Sequence, residues 1–134
     1  MLPFQATEGA QVGRGGGFRF NLDIDKVVSA MIQASTTALA KGGNQAIQYA
    51  THEYAQFILD IEHVQTMAEQ GTITAEVAQA LVDQHKLSMQ AVLLTAEGLG
   101  VIAVQSAINA ALNVLNGALM TALGAAFKGL KFSL

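Results

Sequence analysis

The sequence predicts an all-α fold, an extended helical hairpin or a small bundle of three to four helices, headed by an N-terminal β-strand arm. Two observations carry the helical part. Apolar residues recur at spacings of three and four along most of the chain, and the one proline is Pro3, so nothing downstream is barred from helix. A third observation sets the head apart. Phe18, Phe20, Leu22 and Ile24 alternate with Arg19, Asn21 and Asp23, the period of a half-buried strand.

Residues 1–22 therefore read as an extended glycine-rich arm with a short strand at 18–24, and residues 23–134 as a helical domain. A lone strand leaves its backbone groups unpaired, so it must add to another edge. Phe18, Phe20, Leu22 and Ile24 are accordingly expected to form an assembly interface, an arm exchanged between subunits. The glycines around Arg14 do not make a phosphate loop, because no Lys-Ser or Lys-Thr follows them and no helix starts directly behind. A dinucleotide fingerprint fails as well, since Phe18 stands where its third glycine belongs.

Within the helical domain, helices are expected over about 25–41, 44–70, 74–98 and 100–127. Asp23 or Asp25 caps the first, and Gly42 and Gly43 supply its left-handed stop. Asn44 is the expected cap of the second helix. That helix carries Ile47, Ala50, Tyr54, Phe57, Ile61, Val64 and Ala68 as a sustained heptad pattern. Gly71 ends it, and Thr72 or Thr74 starts the third. The third helix bears Ala78, Val82, His85, Met89, Val92, Ala96 and Leu99 on one stripe. A second stripe, with Val104, Ile108, Ala111 and Leu115, points elsewhere, so a bend or break is expected at Gly98 and Gly100. Ile47, Tyr54, Phe57, Ile61, Val64, Ile108 and Leu115 are the expected helix-packing residues.

Composition bears on function. Of the 134 residues, 51% are apolar and 13% charged, about half the usual charged share, and the mean hydropathy is +0.38. So few charges leave part of the surface to serve as an interface with protein or lipid. The net charge of −3 argues against nucleic-acid binding, which asks for a basic footprint. Without cysteine there is no thiolate metal site and no cysteine nucleophile. No basic stretch followed by an apolar core opens the chain, so a cleavable signal peptide is not expected.

The candidate chemistry is thin. Asp60 and His63 have the spacing of a paired metal ligand, but no second such pair exists, and exposed acidic decoration is the better reading of Glu53, Asp60, Glu62 and their neighbours. No base and orienting acid can be attached to any Ser or Thr. His85 falls inside an apolar stripe, as a satisfied core group or a pH-sensitive interface residue. Residues 98–127 carry no formal charge and are long enough to span a bilayer. Gln105, Asn109, Asn113 and Asn116 nevertheless line one face of that stretch, as a polar stripe or an inter-subunit ladder of amide hydrogen bonds.

The expectation is a structural subunit of a homo-oligomeric ring, tube or filament, such as a virion or secretion component. It is not expected to be an enzyme or to need a cofactor, metal, small-molecule ligand or nucleic acid. The alternative is a membrane-active or pore-forming protein that inserts residues 98–127.

Overall fold

The structure is a computed structural model that describes residues 19–134, and within them the fold is all-helical, with no strand. Four α-helices follow one another: α1 (Ile24–Leu39), α2 (Gly43–Glu69), α3 (Ala75–Leu93) and α4 (Val101–Leu123). Short 3-10 segments at Ala40–Gly42 and Gly124–Gly129 complete it. Helix α1 is central to the packing. It lies along α4 on one side and α2 on the other, while α3 rests mainly on α2.

The expected strand at 18–24 is not seen over residues 19–24, the part of it that is described. Residues 19–23 are irregular, Asn21 has a left-handed φ of 58°, and Ile24 already belongs to α1. The reason is local. The Asp23 carboxylate accepts the Lys26 N–H at 3.3 Å and so caps the helix, ending any alternation there. Phe20 is fully buried within its own chain, and its N–H donates to the Glu62 carboxylate of α2 at 2.9 Å. Leu22 and Ile24 are half-buried against the same core. Phe20 is therefore not an aromatic held out for a neighbour. Phe18 and the glycine-rich stretch around Arg14 lie outside the described residues.

Helix α2 buries Tyr54, Phe57, Ile61 and Val64, with Ile47 half-buried at its start. Ala46, Ala50, Ile58 and Gln65 are buried too, because α2 meets α1 and α3 at once and needs a broader face than one heptad seam. Asn44 does not cap it. The helix begins at Gly43, with Gly42 at the capping position and no side-chain cap. Thr74 does cap α3, accepting the Val77 N–H at 3.1 Å.

Between α3 and α4 the chain breaks at residues 94–100, with Gly98 at φ 92°. The break has a packing cause beyond chain reversal. A Cβ on Gly98 would fall 2.5 Å from the Lys41 carbonyl oxygen, and one on Gly42 would meet Leu99 at 2.9 Å. The α1–α2 corner and the α3–α4 corner thus touch through two residues that lack side chains. Two glutamines hold the other end of the chain. The buried Gln65 donates to the Gly129 carbonyl at 3.1 Å and accepts the Lys131 N–H at 2.9 Å. Gln79 treats Ser133 in the same way, at 3.0 and 2.8 Å. Phe132, between them, is buried.

Candidate functional site

The feature that singles itself out is the outer face of α4. Val104, Ala107, Ile108, Ala111, Leu112, Leu115 and Leu119 fill the inward side. On the outward side Gln105, Asn109 and Asn113 are exposed and Asn116 is half-buried, so the amide stripe lies along the surface. Ile102 is 83% exposed, and Val101 and Met120 about half exposed. No formal charge occurs on this helix. Such a face carries apolar groups and amides that could satisfy one another, and no charged group.

A groove of about 500 Å³ runs beside it, between α4 and α3. Gln105, Asn109 and Leu112 form one wall and Leu87 and Gln90 the other, with Lys86 and Asp83 at the rim. Helices α3 and α4 touch sparingly, which is why the groove stays open. Leu87, 65% exposed, stands at its edge.

His85 is not in the core. Its side chain is about one-third exposed, and Nδ1 lies 3.3 Å from the Asp60 carboxylate of α2. The buried residues of α3 are Ala78, Val82, Met89 and Leu93, and His85 falls at the edge of their face. Of the two expectations for His85, a satisfied core group or a pH-sensitive interface residue, the first is corrected to a half-buried side chain that contacts Asp60 of the same chain. Asp60 faces His85, while His52 and His63 are exposed. Among the described residues no group of three or more His, Asp or Glu is placed to hold a metal ion.

Glu62 departs from the reading of exposed decoration. Burial beside the core pushes its carboxyl above the usual range. The Phe20 N–H and the nearby Arg19 guanidinium draw it part of the way back. Sequence reasoning also passed over Ser35, which is fully buried where α1, α2 and α4 meet. Its hydroxyl lies 2.8 Å from the Tyr54 hydroxyl, 2.8 Å from the Met31 carbonyl and 3.0 Å from the Ala107 carbonyl. Burial raises the Tyr54 hydroxyl above its ordinary 10.0, although the Ser35 hydrogen bond pulls the other way, so it stays protonated. The hydrogen bonds of Ser35 join α1, α2 and α4 at the centre of the bundle. No protein-family model matches the chain, and comparisons with curated proteins and with solved structures find no match.

Proposed function

We propose that this chain is a structural subunit of a homo-oligomeric assembly, a ring, tube or filament of the kind found in virions and secretion machines, rather than an enzyme. The observation that supports it is the uncharged outer face of α4, with Ile102 almost wholly exposed beside exposed amides. Apolar surface of that kind gains when another uncharged surface covers it, at about 25 cal/mol per Å². The amides, meanwhile, can exchange hydrogen bonds across a contact. The acidic run of α2 and α3 and the basic residues Arg19, Lys26 and Lys41 near α1 add opposed charge that would favour contact between copies.

The test is the mass of the full chain in detergent-free buffer, by light scattering. An oligomer well above 14.0 kDa is expected, and a monomer at every concentration would overturn the reading. One observation favours a second reading. Val101–Gly129 is long and apolar enough to cross a membrane by length and composition, with mean hydropathy 1.5, and only 22% of the apolar stretch is buried in the bundle. A chain that is monomeric in buffer and oligomeric on liposomes would establish that membrane-active role instead.

A further inference from the structure

The outward face of α4 carries a second seam of its own. Ile102, Ser106, Asn109, Asn113, Asn116 and Met120 succeed one another at alternating steps of four and three. At 100° per residue they stay within about 40° of one direction, pointing away from the buried face. This is the spacing by which a helix meets one partner helix along its length. Among the described residues no helix covers it, since Ser106, Asn109 and Asn113 are exposed and Ile102 and Met120 are among the most exposed large apolar residues.

The order of residues says more. Ile102 and Met120 stand equally far from Ala111, as do Ser106 and Asn116, and Asn109 and Asn113. The seam keeps the same order of residue class from either end: apolar, polar, Asn, Asn, polar, apolar. A pattern of that kind matches itself when a second copy runs in the opposite direction. We infer that α4 pairs antiparallel with α4 of a second copy about a two-fold axis at the level of Ala111. Ile102 then meets the second copy's Met120, Ser106 meets Asn116, and Asn109 meets Asn113.

Three physical points select this occupant. The face bears no charge, so two copies do not repel one another, and a charged partner would find nothing to pair with. Each Asn amide holds both donors and an acceptor, so facing Asn109 and Asn113 satisfy one another as identical donors could not. Buried Asn at seam positions fixes register and orientation, because any other alignment leaves amides against methyl groups. The seam spans about 27 Å at the helical rise of 1.5 Å. That is a short contact beside the roughly 800 Å² per partner of a standard interface. It suits an assembly that repeats one modest contact many times.

This pairing rests on the homo-oligomer reading above, and its test separates the two. The chain has no cysteine, so Ser106→Cys and Asn116→Cys are made singly in the full-length protein and then mixed under oxidising conditions. Antiparallel pairing sets Ser106→Cys opposite Asn116→Cys and holds like residues about 15 Å apart along the axis. A disulfide needs Cα atoms within about 7 Å. The mixture should give a covalent dimer containing one of each chain, and neither variant alone should do so. Self-linking of either variant, which marks a parallel pairing, would overturn the proposal. Absence of any link while light scattering still reports oligomers would overturn the seam and leave the assembly standing. A wild-type monomer at all concentrations would remove both, and vesicle flotation would then ask whether lipid covers the face. Charge supplies a check free of cysteine chemistry. Asn109→Glu with Asn113→Glu should weaken association at least tenfold with helix content unchanged by circular dichroism. Asn109→Lys with Asn113→Glu, which restores opposite charges only in the antiparallel register, should recover it. Failure of that recovery counts against the register.

Discussion

Removing the Ser35 hydroxyl should destabilise the bundle more than removing the Tyr54 hydroxyl, and removing both should cost less than removing Ser35 alone. The reason lies in how the few protons are shared. Ser35 has one hydrogen and two carbonyls within reach, Met31 at 2.8 Å and Ala107 at 3.0 Å; with that hydrogen given to either carbonyl, the Tyr54 hydroxyl, 2.8 Å away, is left to donate to Ser35. Each of those carbonyls lies inside a helix. In Tyr54→Phe the ring remains, so no cavity opens, and one neutral hydrogen bond is lost, about 1 kcal/mol. In Ser35→Ala the phenol is stranded. Its other neighbour, the Ala107 carbonyl, is 3.5 Å away, at the limit of a hydrogen bond. A fully buried hydroxyl left without a partner costs about 1–3 kcal/mol, offset by a few tenths from the better helix propensity of alanine.

Adding Tyr54→Phe to Ser35→Ala removes the stranded group and should restore about 1–2 kcal/mol, because replacing both partners by apolar groups is nearly neutral. Urea unfolding followed by circular dichroism, with an unchanged slope across the four proteins, measures the cycle. If the double variant is as unstable as the sum of the singles, the two hydroxyls do not depend on one another and the account of this joint is wrong.

Three further outcomes follow from other sites. Glu62→Gln keeps an acceptor for the Phe20 N–H and removes a carboxylate that burial holds above its usual range. A raised folded value gives stability that is complete below the unfolded value and fades as pH rises through the folded one. The variant should therefore gain on wild type toward neutral pH and lose that advantage in acid, as thermal melts across pH will show. Gly98→Ala places a Cβ against the Lys41 carbonyl at a φ of 92° and should cost more than about 1 kcal/mol in the same urea assay. Gln65→Leu strips the Gly129 carbonyl and the Lys131 N–H of their partner. Hydrogen exchange should then accelerate at residues 129–134 while the centre of α2 keeps its protection.

The helical class was legible because periodicity survives without tertiary knowledge. Tyr54, Phe57, Ile61 and Val64 form a stripe in the sequence and are buried in the structure. Gly98 could be read as a break, but not as a contact, since its close approach to Lys41 joins residues far apart in the chain. The buried polar residues were opaque for the same reason. Nothing local distinguishes Ser35 or Gln65 from exposed residues of their kind until another helix supplies a carbonyl. Over residues 19–24 the strand reading does not match, because alternation over so short a stretch is shared by a strand and by a loop that turns one aromatic, Phe20, inward. Asp23, read correctly as a cap, already limited how far a strand could run.

The amide stripe of α4 was legible in the sequence, as a polar stripe or an inter-subunit ladder, whereas its apolar ends were not, and the difference has a physical cause. Apolar periodicity picks out the inward stripe, and amide spacing picks out the polar one, but neither places Ile102 or Met120. Ser106, Asn109, Asn113 and Asn116 become a seam only when Ile102 and Met120 are admitted as its ends, and that depends on knowing they face outward. Burial inside the bundle would have made those two residues core. Exposure, 83% for Ile102, makes them a cost that a second helix can remove. In the proposed pairing the amides between them would hold two copies in one alignment, a task a wholly apolar seam performs less well because it tolerates sliding. The inward face of α4 builds the bundle, and under the proposed pairing the outward face, low in driving force and strict in register, would decide how two copies meet.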